Sequence, residues 1–379
     1  MEHWGGGEEF LLKIFNNINE FEFILSTPDG LPANVFQQSD IKVIIINSLK
    51  KIYRGNESWT LSSVIKIITN IIISTVQLIK VILKYKIDFI LCNGNFAGLY
   101  CILASTVTLK KMIVVQHLLY KKDSFEGKMV FLINKFAYKM VCISDSVFYH
   151  VKQILGKNDK DKLITIYHGI TLPVINEKDN EISYIQKKIV NIGIVGSLIK
   201  IKGIDLLIEA IKDIITYNRN VHVHIFGTVR KNDVDSIKYE SELKEQIKRY
   251  RINENVHFHG FEKSKDTIYS NLDIVVNYST IAESFAFTVI EAMAYKKIVI
   301  ATAVGGPKEI ITDGYNGFLL PASEEKKLRE KLDYCIKDLN SSEFQKIREN
   351  ARKTVEQNYA LSQFIQNYKI FFNSVFTRF

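Results

Sequence analysis

Residues Asp273–Gly317 read DIVVNYSTIAESFAFTVIEAMAYKKIVIATAVGGPKEIITDGYNG. The apolar run Ile274–Asn277 has the composition of a strand buried on both faces, and it ends in a polar loop carrying Glu283. A short helix with Glu291 in its first turn or two follows. A second apolar strand, Ile298–Thr302, then leads into a Gly305-Gly306 turn and another helix. Strand, loop, helix, strand, glycine turn and helix is the order of a βαβ nucleotide site. The two carboxylates stand eight positions apart, one before the helix and one on it. Helix N–H groups between them suit a phosphate or a ring of sugar hydroxyls.

The same alternation extends outward. Upstream, IVNIGIVG (Ile189–Gly196), VHVHIFG (Val221–Gly227) and VHFHGF (Val256–Phe261) read as strands, with helices at Ile204–Ile215 and around Glu240–Arg251. The first half repeats the pattern with strands at Phe21–Leu25, Lys42–Ile46, Asp88–Cys92, Met112–His117, Met140–Ser144 and Leu163–Gly169. Helices are expected at Ser62–Lys84, after Asn95, at Phe131–Lys139 and at Ser146–Leu155. Pro173 and the polar run Asn176–Asn180 mark a boundary. The expected domains are therefore residues 1–172 and 173–358, with a helix over 359–379 that packs back on the first domain through Tyr368, Phe371, Phe372 and Phe376. The architecture is α/β, two facing Rossmann-like doubly wound domains with a central cleft, where ligands sit beyond the carboxyl ends of the strands. A Gly5–Gly7 run normally follows the first strand of such a domain. Only four residues precede it, so either the first N-terminal strand is missing or the true start lies upstream.

At 379 residues and 47% apolar, the chain can fill two packed cores, and its composition argues against disorder. Fifty Lys and Arg against 41 Asp and Glu, a formal charge of +9, suit a phosphate-bearing ligand or an anionic membrane surface, and both signs are spread along the chain. No nucleic-acid partner is expected. Four cysteines without CxxC spacing argue against a disulfide framework or a zinc site and fit a reducing compartment. The polar Met1–Glu9 does not read as a signal peptide. Val64–Leu83 is apolar but carries Lys66, Asn70, Gln77 and Lys80, so an amphipathic surface helix is expected rather than a span. His222, His224, His257 and His259 form two HxH pairs. Their strands are expected to lie under helices, and no third ligand type is in place, so no metal is expected.

ESFAFTVIE, followed by AMA, a strand, VGGPKEII and DGYNGFL, resembles the retaining glycosyltransferases of family 4, which have the GT-B fold. The resemblance extends over nearly the whole chain, and its specific part is the carboxyl-terminal half. It implies that Glu291 binds the ribose hydroxyls of a nucleotide and that Glu283 lies near the donor sugar or the reacting centre. The backbone of Phe285, Ala286, Phe287 and Thr288 would touch sugar hydroxyls and the diphosphate, and Lys202 would bind the diphosphate. His117 would approach the sugar from the first domain, and Gly6 and Gly7 would form a loop near the phosphates or acceptor. Two positions depart from the pattern. Ser197 stands where arginine is common, leaving a diphosphate contact to another residue such as Lys200, and Ala286 stands where glycine is usual.

Alone, each residue has a plainer reading. Glu291 would be a carboxylate favoured near a helix N-terminus, Lys202 a solvated lysine, and His117 a histidine satisfied at a strand end. The motif context favours the sharper set. The function implied is transfer of a sugar from a UDP- or GDP-sugar to a glycan or lipid-linked acceptor, in surface polysaccharide or glycolipid synthesis. No cofactor is implied, and the site is cytoplasmic, peripheral at the inner face of a membrane. Two readings compete: a nucleotide-sugar epimerase or phosphorylase of the same fold, and a degenerate nucleotide-sugar-binding subunit, motivated by Ser197 and the short start.

Overall fold

The computed structural model describes residues 5–49, 60–157, 160–175, 189–230 and 232–376. The polar run Asn176–Asn180 and the residues before Gly5 lie outside them. The chain divides into two compact units, one running to His168 and taking in Ser362 onward, the other Gly169–Leu361.

The first unit opens with α1 (Gly6–Asn17), β1 (Ile24–Thr27), α2 (Leu31–Gln38), β2 (Lys42–Ile45) and α3 (Leu61–Lys84). It continues with β3 (Phe89–Asn93), α4 (Asn95–Thr108), β4 (Lys111–Gln116), α5 (Phe125–Phe136), β5 (Lys139–Cys142), α6 (Asp145–Leu155) and β6 (Leu163–Thr165). β1 pairs with β2, and β3, β4, β5 and β6 pair in that order, all parallel. Strands laid down in sequence order with right-handed crossovers place α4, α5 and α6 on one face. Continuous Met-Ile-Val-Val on β4, buried on both sides, is the centre of that sheet.

The second unit holds β7 (Val190–Val195), α7 (Ile204–Tyr217), β8 (Val221–Phe226), α8 (Val234–Tyr250), β9 (Val256–Gly260), α9 (Lys265–Tyr269) and β10 (Ile274–Asn277). Then come α10 (Phe287–Ala294), β11 (Ile298–Thr302), α11 (Gly306–Ile310), β12 (Phe318–Leu320), α12 (Glu325–Lys337) and α13 (Ser342–Asn358). Its six strands are parallel in the order β12-β11-β10-β7-β8-β9. The order reverses between β7 and β10, the position where a doubly wound sheet opens a crevice for ligands. The last helix, α14 (Leu361–Phe376), belongs to the first unit over nearly all its length. Its Phe364, Tyr368 and Phe372 rings lie 5.4–5.8 Å from those of Phe10, Phe21 and Phe89, edge-on or tilted as aromatic quadrupoles prefer.

Three expectations need correction. Gly6 and Gly7 are not loop residues but the first turn of α1. Gly5 is the extended N-cap, and the Glu8 carboxylate accepts its N–H at 3.1 Å, which starts the helix there. The strand-face histidines are not sealed under helices: β9 is the edge strand, β8 is its neighbour, and the face they share is partly open. Their ring nitrogens serve one another: His222 Nδ1 to His257 Nε2 at 3.0 Å, His224 Nδ1 to His259 Nε2 at 2.9 Å. Among the described residues no three His, Cys, Asp or Glu side chains are arranged to hold an ion. α3 also departs from an ordinary surface helix, because apolar residues lie on its inner side, at Leu78 and Ile82, and on its outer side beside Lys66, Lys80 and Lys84. Ser74 and Thr75 are buried, whereas Ile65, Ile68 and Ile72 are exposed.

Candidate functional site

β7 and β10 are hydrogen-bonded neighbours, so the loops that leave them meet. The first makes a 3-10 turn, Lys200–Lys202, closed by Gly203 at φ 65°. A Cβ at Gly203 would stand 2.3 Å from the Tyr278 carbonyl oxygen, so only glycine permits both the left-handed turn and its seat on the end of β10. Thr280 N–H donates to Ile201 O at 2.8 Å and ties the loops together. Lys202 is thereby delivered to Glu283, with which it forms an ion pair at Oε1. Ser279 Oγ donates to the same oxygen. Asn277 Nδ2 donates to Glu283 Oε2 at 3.3 Å and to Thr288 Oγ1 at 2.7 Å. Asn277 Oδ1 is buried with no hydrogen-bond partner, a state that costs about 1–3 kcal/mol in the absence of a donor.

The glycine turn after β11 acts on the backbone of this loop. Gly306 N–H donates to Glu283 O at 2.8 Å, and a Cβ at Gly305 would lie 2.3 Å from that oxygen. The pair lets two backbones touch and so holds Glu283 in place. Phe285 and Ala286 are buried, and Ala286 caps α10 at φ −97°, a conformation open to any residue. The alanine is therefore unstrained there. Phe287 packs edge-on against Phe285, their centroids 4.9 Å apart. Ser197 is half-buried in the loop after β7, its carbonyl accepting from Ile199 N–H at 2.9 Å. Lys200, the suggested substitute for a missing arginine, is paired with Asp205 Oδ2 at 2.6 Å.

Glu291 is the fifth residue of α10 and 9% exposed. Lys265 Nζ lies 2.8 Å from its Oε1, and Tyr269 O–H donates to its Oε2 at 2.8 Å. Lys265 and Tyr269 are four apart on α9 and so share one side of that turn. Burial, aided by the Glu291 charge, pushes the Tyr269 phenol well above its ordinary value, so it remains a donor.

In the first unit, His117 follows β4 with Nε2 2.7 Å from Asn93 Oδ1, and Asn93 Nδ2 donates to Gly7 O at 3.0 Å. Because the Asn93 amide nitrogen is directed to Gly7, its oxygen faces His117. Nε2 then carries the proton and Nδ1 is left as an acceptor. Burial lowers the His117 pKa to about 4, so the ring is neutral at physiological pH.

The fold therefore joins Lys202 to Glu283, brings Thr288 to them through Asn277, holds Glu291 in a separate cluster further along α10, and links His117 to Gly7. Sequence reading passed over Asn277, Ser279, Lys265, Tyr269 and Asn93. Asn277, Ser279 and Asn93 carry one usable signal, a small polar residue at the carboxyl end of an apolar strand. Lys265 and Tyr269 carry only their four-residue spacing.

Residues 176–354 match the family model of glycosyl transferases group 1. The chain is 27% identical over 368 residues to an uncharacterized glycosyltransferase of Methanocaldococcus jannaschii, covering 92% of this chain and 89% of that protein. It is 27% identical over 304 residues to the capsular polysaccharide biosynthesis glycosyltransferase CapM of Staphylococcus aureus, covering 75% and 77%. Among solved structures it superposes on Anabaena HepE in complex with UDP-glucose with a TM-score of 0.76, at 21% identity, over 98% of this chain and 97% of that one. The fold is GT-B, and the likenesses support a GT-B glycosyltransferase.

Proposed function

We propose that this protein is a retaining, metal-independent glycosyltransferase that moves a sugar from a UDP- or GDP-sugar to a glycan or lipid-linked acceptor, in surface polysaccharide or glycolipid synthesis. The observation that carries the proposal is the convergence of Lys202, Glu283, Asn277 and Ser279 at the order reversal of the six-stranded sheet, with the buried Glu291 further along α10. The second unit takes the donor. Glu291, a fixed acceptor of two hydrogen bonds, suits the vicinal hydroxyls of ribose. Lys202 and the N–H groups that open α10 suit the diphosphate, whose developing charge is what a transferase must stabilise. Glu283 and the unpaired Asn277 Oδ1 suit sugar hydroxyls. UDP is the nucleotide held by the Anabaena protein, and CapM is named for capsular polysaccharide synthesis.

In the reaction the bond from the sugar C1 to the leaving phosphate oxygen breaks, and a bond from C1 to the acceptor hydroxyl oxygen forms on the same face. The acceptor proton passes to the departing phosphate. Lys202 leaves its contact with Glu283 to meet the diphosphate, which frees Glu283 for the sugar. The first unit takes the acceptor, with His117 offering a neutral imidazole and α1 starting beside it. The place of work is the inner face of a membrane.

The test is incubation of purified protein with labelled UDP- and GDP-sugars, with and without glycan and lipid-linked acceptors, followed by NMR of the product anomer. Acceptor-dependent transfer with retained configuration is expected. Inversion, or conversion of donor without acceptor, overturns the reading.

A further inference from the structure

Helix α3 keeps apolar side chains on the side away from the protein as well as on the side packed against it. Over Leu61–Lys84, its inward residues include Ser74, Thr75, Leu78 and Ile82, all buried. Ser74 Oγ bonds Ser48 Oγ at 2.7 Å, and Ser48 Oγ bonds Gln77 Oε1 at 3.1 Å. The outward stripe is Ile65, Ile68, Ile72, Val76 and Leu83, each 49–66% exposed. Their spacing of three, four or seven residues keeps them on one side of the helix. The neighbouring α4 also exposes Val107 and, at its end, Leu109, which is 89% exposed. An apolar stripe of this length left facing water marks a contact surface.

The charges beside the stripe identify what covers it. α3 contains no Asp or Glu, while Lys66, Lys80 and Lys84 lie on its exposed side, and α4 carries no charged residue at all. A second copy of this face would set lysine against lysine. A membrane-spanning role would require α3 to leave the first unit, stripping Leu78 and Ile82 of their packing and Ser74 of its bond. A bilayer surface requires neither. Isoleucines sink among the acyl chains, and lysine stems run up to the headgroups, where anionic phosphates meet the ammonium groups.

We propose that the outer face of α3 docks the first unit onto a bilayer that contains anionic phospholipid. This deepens the membrane-surface location given under the proposed function, and its test does not depend on sugar transfer.

The experiment is co-sedimentation of the full chain with vesicles of phosphatidylcholine alone and vesicles half phosphatidylglycerol, at low and high salt. Wild-type protein is expected to sediment with the anionic vesicles and to be released by salt. Paired Ile68→Glu and Ile72→Glu substitutions, at exposed positions that leave the fold intact, should abolish sedimentation. Paired Lys66→Glu and Lys80→Glu substitutions should weaken it by roughly thirtyfold or more, from about 1 kcal/mol per lysine near an anionic surface. The thermal shift produced by UDP should be unchanged in both variants, so that failed docking and a failed donor site are told apart. Absence of sedimentation, equal binding to both vesicle types without salt dependence, or a dimer in sedimentation equilibrium that the Ile68→Glu, Ile72→Glu variant abolishes would each overturn the proposal.

Discussion

The strand ends of the two units carry different polar chemistry. Beyond β10 two carboxylates each meet a lysine, Glu283 with Lys202 and Glu291 with Lys265, and each gains a hydroxyl donor besides, from Ser279 and Tyr269. Beyond β3 and β4 the linked groups are neutral: the Asn93 amide, the Gly7 carbonyl, and His117, whose proton burial withholds until about pH 4. Charge held out of water is costly unless paired. A fold tolerates such pairs where a charged ligand can take over one partner, and uses amides and imidazoles where the ligand is uncharged. On the proposed reading, the charged end meets the whole donor, ribose, diphosphate and sugar, and the neutral end meets the acceptor.

The largest test of that contrast is Glu291→Ala. It removes the proposed ribose anchor and leaves the buried Tyr269 hydroxyl without its acceptor. Donor-dependent turnover should fall roughly a hundredfold or more, with about 1–3 kcal/mol of lost stability in denaturant melts. Glu291→Gln, which keeps an acceptor oxygen, should recover the stability without the full affinity. If both variants bind donor as wild type does, Glu291 is only a structural carboxylate.

Lys202→Ala comes next. Loss of one charge-assisted contact of about 1.5–3 kcal/mol should weaken donor binding about ten- to hundredfold by calorimetry, and the melting temperature should fall because Glu283 loses its counter-ion. Equal affinity for nucleoside and nucleoside diphosphate in the wild type would contradict a phosphate role for this lysine.

Tyr269→Phe should act more gently, because Lys265 still holds Glu291. KM for the donor is expected to rise a few-fold, as suits one neutral donor worth about 0.5–1.5 kcal/mol, with kcat nearly unchanged. Discrimination between the donor and its 2′-deoxyribose analogue should shrink as the carboxylate loosens. A variant that melts earlier yet discriminates as before would leave Tyr269 a packing residue.

The neutral end gives the smallest signal. An unfolded imidazole takes up its proton near 6.5, the buried one only near 4. Between these values the unfolded chain binds more protons, so His117 subtracts stability as pH falls through that window and adds no further loss below it. Melting curves from pH 7 to 4 should show a decline that His117→Gln reduces by a few degrees, at about 2–4 °C per kcal/mol. An identical decline in the variant would mean that other groups carry it.

Much of this was legible in the chain. Ile274–Asn277 and Ile298–Thr302 are strands over the residues expected, because continuous β-branched runs between polar loops leave little alternative. The other expected strands fell within a few residues of their places, as did most helices, while the short β12 was not anticipated. Less legible was what each polar residue touches. Glu283 stood out as a loop carboxylate, but Ser279 beside it reads as one more loop serine until both loops are folded. Lys265 and Tyr269 precede Glu291 by 26 and 22 residues, and no periodicity spans that gap. The glycines of the VGGP stretch read only as a turn between strand and helix; in the structure they allow one backbone to lie against another.

Local sequence alone determined the alternation of strands and helices, the strand ends on which chemistry collects, and the two carboxylates, since these follow from periods of two and near four along one segment. Tertiary structure alone decided which cation meets which carboxylate, which histidine tautomer is held, and which side of α3 faces out. Those depend on groups brought within about 3 Å from distant parts of the chain. A helix's period shows that it has two faces; only its packing partner shows which one is left to the solvent.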